Sequence, residues 1–423
     1  MYYIVGCLEE REQNDIILKS TLYDSEIKLS DEIFKKEYYS LKKNGCKSLH
    51  SFLEKELNMQ GMLLNEYEIK QITSTLTKHY NEILLLTIMP TESCNFRCAY
   101  CYENHDDIVM NEDIIQGLEK YIENSYHQYN HISISWFGGE PTLCKKTILR
   151  INQKVKKLLN CEKKYSFSMT TNGYLLDIDT FIEYYKSGIT SYQITIDGWE
   201  QDKNRPLKNG EPTLERILNN LDAIHRLPSD IYKFNIMIRN NIYADNSDFT
   251  WYKFLDEKYG DDERFGILVR QVGNLGGDID TKNILSEKEG KLLIQKHVEY
   301  IDKLRIRCDN NGIEKNLDIG RGMCYASYKN GYTIRANGKV QKCTVAFDLD
   351  ANEVGYLDSH GYLHINEEKN KIWSDNNIAK DCYSCNKIFT CLNKMCPLKK
   401  VTDKTYKCNE YQSFFTQTTL NDF

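Results

Sequence analysis

The run Cys94-Asn95-Phe96-Arg97-Cys98-Ala99-Tyr100-Cys101 places three thiols within eight residues. Three thiolates so spaced can hold three irons of a cubane cluster and leave the fourth iron without a protein ligand. An iron with an open position can bind a small molecule and pass it an electron, whereas a fully ligated cluster only carries electrons outward. Two other readings compete. Zinc sites more often pair two C-x2-C units that together close a tetrahedron, and structural cysteines are usually buried singly. Upstream, Ile83-Leu84-Leu85-Leu86-Thr87-Ile88 is a short apolar run of strand length, followed by Pro90-Thr91.

Outward from this loop the chain repeats one pattern. Alternating apolar residues predict strands at Ile132/Ile134/Trp136, Tyr165/Phe167/Met169, Tyr192/Ile194/Ile196, Phe234/Ile236/Ile238 and Phe265/Ile267/Val269. Helix-period stretches lie between them, such as Ile148/Ile151/Val155/Leu158 and Leu214/Ile217/Leu218/Leu221/Ile224. With the strand before the cysteines this makes six β/α units, an α/β chain with parallel strands joined by crossovers. Six units do not close an eight-unit barrel, so an open, partial (β/α)6 barrel is expected, with ligands at the carboxyl ends of its strands. The expected divisions are an N-terminal α+β region over 1–81, the barrel over 82–305 and a cysteine-rich segment over 306–423. Within the first, strands are expected near Tyr2–Cys7 and Asp15–Leu22, helices over 30–41 and 48–57, a returning strand at 61–64 and a helix over 66–76.

Composition narrows the classes. A chain of 423 residues can hold two or three domains, and 30 tyrosines beside six prolines do not fit a disordered chain. A net charge of −6 does not favour nucleic acid as the main partner. No apolar run approaches about 20 residues, so no membrane span is expected, and the first residues lack the basic and apolar regions of a signal peptide. The expected location is the cytoplasm, where 15 cysteines read as metal ligands before disulfides.

The cysteine loop resembles that of the radical SAM superfamily, C-x3-C-x-aromatic-C, with Tyr100 at the aromatic position. The resemblance implies that Cys94, Cys98 and Cys101 hold a [4Fe–4S] cluster whose open iron chelates S-adenosyl-L-methionine (SAM). Reductive cleavage of SAM then yields a 5′-deoxyadenosyl radical that abstracts hydrogen. In such enzymes the cofactor carries the chemistry and the protein supplies orientation and exclusion of water. Gly138-Gly139-Glu140-Pro141 is similar to the family's GGEP motif, which contacts the methionyl amine. Two glycines at a strand end allow a backbone path closed to other residues, and a carboxylate there can accept an ammonium. Thr171-Asn172-Gly173 resembles the family's TNG segment. By the same resemblance Thr195 stands where a hydroxyl meets the SAM carboxylate. Asp202, Arg205 and Gly210 fit the following D-x-x-R-x-x-x-x-G pattern, and Arg239 with Asn241 falls near the SAM ribose and carboxylate. An ordinary structural ion pair is the competing role for Arg205 and Arg239.

The last cysteines resemble the SPASM extension, which implies two auxiliary [4Fe–4S] clusters and three in all. On that pattern Cys382, Cys385, Cys391 and Cys408 hold the distal cluster, and Cys324, Cys343 and Cys396 the proximal one. Four residues rather than three separate Cys391 from Cys396. Either Cys308 is the fourth proximal ligand or one iron is open; the reading favours an open iron, able to hold a substrate thiolate. Cys7, Cys46, Cys144 and Cys161 match no ligand pattern. A zinc ribbon on Cys382 and Cys385 is the physical alternative.

This combination is similar to maturases of ribosomally made peptides. It implies a precursor peptide as substrate, a crosslink such as a cysteine thioether as product, and an external electron donor such as flavodoxin or ferredoxin. The N-terminal region has elements like those that bind leader peptides in such enzymes, or it is a plain cap on the barrel. Anaerobic sulfatase maturation, giving formylglycine, is the second expectation. Those enzymes usually carry an Asp after the cysteine matching Cys343, and here that residue is Thr344. A non-catalytic multi-cluster electron carrier is the third. No residue reads as a general base.

Overall fold

The computed structural model describes residues 1–23, 25–159, 164–243, 248–273, 284–310, 323–375, 378–379, 382–383, 385, 388–392 and 396–403. Contacts divide the chain into two compact units. One is drawn from Met1–Glu82, Ile313–Lys329 and Lys371–Asn421, the other from Ile83–Gly312 and Asn330–Asn370.

The first unit opens with β1 (Tyr2–Ile4), β2 (Cys7–Glu12), β3 (Asp15–Ser20) and β4 (Glu26–Leu29). Helices α1 (Glu32–Asn44) and α2 (Phe52–Met59), strand β5 (Leu63–Asn65) and helix α3 (Glu66–Asn81) follow. Strands β2, β3 and β4 form an antiparallel sheet, and β1 pairs with β5. The expected single strand over Tyr2–Cys7 is broken at Gly6. The chain turns there with φ +51°, in a space where any side chain would meet Thr21 and Phe389. The hairpin partner β2 was not foreseen, because Glu9-Glu10-Arg11-Glu12 is too charged to read as a strand; it is an edge strand, where charge is the usual protection. Helices α2 and α3 begin with capping boxes, Ser51 with Glu54 and Asn65 with Glu68, each satisfying the first free N–H groups. The core collects Leu18, Tyr38, Leu57, Met62 and Leu63.

The second unit is built on the six expected strands: β6 (Ile83–Ile88), β7 (His131–Trp136), β8 (Lys164–Thr171), β9 (Ile189–Thr195), β10 (Asn235–Ile242) and β11 (Phe265–Gln271). They lie side by side in sequence order, all parallel. Helices α4 (Glu112–Ser125), α5 (Lys145–Leu159), α6 (Ile178–Ser187), the short α7 (Gln201–Asn204), α8 (Leu214–His225), α9 (Thr250–Tyr259) and α10 (Glu287–Ile301) fill the crossovers. Ile132, Ile134 and Trp136 are fully buried, and so are Ile148, Ile151 and Val155 on α5. In β11 the residues between the alternating set, Gly266 and Leu268, are buried too. A parallel sheet covered on both faces hides both.

The sheet is larger than the six units. At one side β12 (Arg307–Cys308) pairs parallel with β11. At the other, β13 (Gly331–Ile334) pairs parallel with β6, and β14 (Lys339–Gln341), β15 (Glu353–Leu357) and β16 (Leu363–Ile365) add an antiparallel meander. Residues expected with the C-terminal cysteine segment thus complete the ladder on the free side of β6. Among the described residues no helix is long and apolar enough to cross a membrane.

Ile134 is fully buried in this core. Ile134→Ala is expected to cost about 2–5 kcal/mol, read as a lower melting temperature by circular dichroism.

Candidate active site

The cysteine loop starts where β6 ends, and the end of β7 holds it in place. The Gly139 N–H donates to the Thr91 carbonyl at 3.3 Å, and the Glu140 N–H to that of Ser93 at 2.9 Å. A side chain at Gly139 would collide with the Glu92 and Ser93 carbonyls, and one at Gly138, where φ is +108°, with that of Thr91. The glycines therefore serve the close approach of two backbones. On its other side the loop is laced to the segment after α7. Phe96 bridges to Leu207, the Arg97 N–H donates to Pro206 O at 2.9 Å, and the Ala99 N–H to Asn204 O at 2.8 Å. The Cys101 N–H closes a turn on Cys98 O at 3.1 Å, and the Phe96 N–H points at Cys94 Sγ at 3.4 Å.

Burial raises all three thiol pKa values, that of Cys101 to about 12. Charge on Cys98 or Cys101 would lift Cys94 further. The three sulfurs do not converge on one point: among the described residues no three His, Cys, Asp or Glu side chains are arranged around a single ion.

Tyr100 reaches across the carboxyl ends of the strands. Its hydroxyl donates to Asp197 Oδ2 at 2.7 Å and accepts from Arg205 Nη1 at 3.0 Å and Asn241 Nδ2 at 2.8 Å. Arg205 is 8 % exposed, with its guanidinium 5.8 Å from the Phe96 ring and 6.0 Å from the Tyr100 ring. Arg239 donates from Nε to Asn241 Oδ1 at 2.9 Å. Thr195, at the end of β9, is paired in register with Arg239. Two polar atoms here are buried without a hydrogen-bond partner, Asp197 Oδ1 and Arg205 Nε. Asp197, 2 % exposed, directly follows the strand expected at Tyr192/Ile194/Ile196. Its Asp-Gly dipeptide reads as a turn, so the role of its carboxylate was missed.

Glu140 is 1 % exposed, and four donors already engage its carboxylate. Oε1 accepts from Thr142 N at 3.0 Å, Thr142 Oγ1 at 2.5 Å and Thr171 Oγ1 at 2.6 Å; Oε2 accepts from Asn172 N at 2.7 Å. Burial raises its pKa and these bonds oppose the rise. Asn172 in turn donates to Asn95 Oδ1 at 2.8 Å, inside the cysteine loop. Glu140 and Asn172 thus tie β7, β8 and the loop together.

Residues 88–243 match the Radical SAM superfamily. The chain carries a radical SAM domain. It is 25 % identical over 304 residues to a GTP 3′,8-cyclase of Haemophilus ducreyi, covering 67 % of this chain and 84 % of that one. It is 24 % identical over 375 residues to a cysteine-type anaerobic sulfatase-maturating enzyme of Clostridium novyi, covering 78 % of this chain and 94 % of that one. Its fold is like that of anSMEcpe with bound AdoMet and a Kp18Cys peptide, at TM-score 0.58 and 18 % identity, over 79 % of this chain and 94 % of that one. It is also like that of Streptococcus suis SuiB bound to the precursor peptide SuiA, at TM-score 0.53 and 16 % identity, over 99 % of both chains.

A radical SAM enzyme implies SAM and a [4Fe–4S] cluster, and the residues present fit both. Thiols held protonated by burial become good ligands once a cation takes their charge, and three of them fall within eight residues of one loop. The buried, unpartnered atoms of Asp197 and Arg205 suit a polar ligand beside it.

The other cysteine assignments divide between the two units. Cys324, Cys382, Cys385, Cys391 and Cys396 belong to the first; Cys343, just after β14, and Cys308, in the edge strand β12, belong to the second. The Cys385 N–H closes a turn on Cys382 O at 3.0 Å, the same turn that links Cys98 and Cys101. Cys408 and Cys161 lie outside the described residues.

Tyr100→Phe removes one hydroxyl and leaves two donors and a carboxylate short of a partner, a loss of about 1–3 kcal/mol. SAM affinity of the radical SAM enzyme should weaken by about tenfold, or 1.4 kcal/mol, in an anaerobic calorimetric titration.

Proposed function

We propose that this radical SAM enzyme is a peptide maturase that forms a crosslink, a cysteine thioether in the simplest case, in a ribosomally made precursor peptide. The observation that carries this reading is the three-cysteine loop seated at the carboxyl ends of six parallel strands, where ligands of such sheets gather. When bound, SAM and the cluster on Cys94, Cys98 and Cys101 supply a 5′-deoxyadenosyl radical by one-electron reduction. The chain's own residues orient and enclose. Asp197 and Arg205 face the SAM pocket, Tyr100 holds them to the loop, and the Glu140 network fixes the strand ends around it. The residues assigned to SAM are Tyr100, Gly138, Gly139, Glu140, Asn172, Thr195, Arg205 and Arg239, with Gly138 and Gly139 acting through backbone shape.

A peptide substrate is supported by the Kp18Cys peptide and the precursor peptide SuiA bound to the structural neighbours. The antiparallel sheet β2-β3-β4 supports it too, because β4 is an edge to which a leader peptide can add as a strand. Two auxiliary clusters, on Cys382, Cys385, Cys391 and Cys408 and on Cys324, Cys343 and Cys396, would take the electron left on the product. Flavodoxin or ferredoxin in a reducing cytoplasm would deliver the first. The Clostridium novyi relative favours a second reading, oxidation of a cysteine to formylglycine; Thr344 in place of an acid after Cys343 counts against it.

The test is anaerobic reconstitution, iron counting, and SAM with dithionite. About 12 irons per chain, three cubanes, and 5′-deoxyadenosine are expected, and a candidate peptide should lose hydrogen without gaining oxygen. Cys94→Ala, Cys98→Ala or Cys101→Ala should abolish cleavage, whereas Cys382→Ala should retain part of it and lose the peptide product. Cleavage that survives in the first set would sink the site assignment. An aldehyde in the peptide would favour the second reading, and iron without cleavage an electron carrier.

A further inference from the structure

The residues flanking the three cysteines are both held by the meander β13-β14-β15. Before them, Glu92 is 4 % exposed and meets Arg335 in a two-pronged ion pair, Nε to Oε1 at 2.9 Å and Nη2 to Oε2. Arg335 stands in the turn between β13 and β14, where its N–H donates to Lys339 O at 2.9 Å. After them, Tyr102 packs on Phe347 with ring centroids 6.3 Å apart, and the Arg335 guanidinium lies 4.8 Å from the same Phe347 ring. Phe347 is held in turn, its carbonyl accepting from Gln341 Nε2 at 2.9 Å. The turn between Gln341 and Phe347 carries Cys343, whose N–H and carbonyl are both bonded to the Asn352 side chain at 2.8 Å.

We propose that Glu92 and Arg335 are a positioning pair, which fixes the cysteine loop in orientation against the meander that carries Cys343. A forked guanidinium–carboxylate pair defines an angle as well as a distance, which a lysine cannot reproduce. Buried ion pairs of this kind contribute little net stability and can instead specify one arrangement. Phe347 extends the clamp to the far flank of the loop, so the position of the three sulfurs is set from both ends by one element. Met89, at the root of the loop, adds a backbone bond to Ile334 O at 2.9 Å. The inference rests on reading Cys94, Cys98 and Cys101 as the ligands of the SAM-binding cluster.

The test uses the full chain, reconstituted with iron and sulfide, reduced with dithionite, and followed by electron paramagnetic resonance with and without SAM. Arg335→Lys keeps the charge and breaks the fork; Glu92→Gln keeps the shape and removes the charge. Each should alter the SAM-dependent signal and slow 5′-deoxyadenosine formation about tenfold, the usual scale for residues that orient metal ligands, with melting temperature near that of the parent. The double variant should be no worse than either single one. Should the charged-pair variants fail to fold, Phe347→Leu tests the same clamp and is expected to shift the signal in the same direction by less. Unchanged signals in folded variants, or losses that simply add, overturn the pair. A parent chain with no SAM-dependent signal overturns the cluster assignment instead.

Discussion

Two hydrogen bonds between backbones fix the three-cysteine loop against the end of the sheet. The N–H groups of Gly139 and Glu140 reach the carbonyls of Thr91 and Ser93 only because no side chain stands at 138 or 139. That contact welds the exit of β7 to the entrance of the cysteine loop. From it follow the placement of Glu140 beneath the loop, the reach of Asn172 to Asn95, and the direction in which Tyr100 crosses to Asp197 and Arg205. A buried carboxylate with four donors is costly to rearrange, because each freed donor would be left without water. The site is therefore set before any ligand arrives.

Much of this was legible in the sequence, for physical reasons that differ by element. The six parallel strands announce themselves because a covered sheet demands apolar residues at fixed spacing, as in Ile132, Ile134 and Trp136. The cysteine loop is legible because its thiols are close in sequence. Less visible was what depends on partners far along the chain. Glu92 and Arg335 are 243 residues apart, and neither carries a local signal. Glu140 is expected at a strand end, and the bonds it accepts from Thr142, Thr171 and Asn172 carry no local signal. Sequence shows that a carboxylate is at a strand end; only packing shows what already surrounds it. The strand β2 was hidden by its charge, and β13 by the expectation that the cysteine-rich segment stands alone.

Fold and function are carried by different parts of this molecule. A sheet of this kind hosts many reactions, and its relatives include both a nucleotide cyclase and a sulfatase-maturating enzyme. Thr344 after Cys343 and the arginine-bearing turn at 335 stand outside the six parallel strands. Differences of substrate are to be sought there rather than in the strands.

The eleven-stranded sheet also has a bearing on how the protein behaves in solution. Its two outermost strands, β12 and β16, are two and three residues long. Arg307 is paired with Asp309 at one end, and His364 with Asp358 at the other. A wide sheet with long bare margins would recruit further chains edge to edge; short, charge-bearing margins give an incoming strand little to grip. The sheet is thus kept from becoming a template for aggregation.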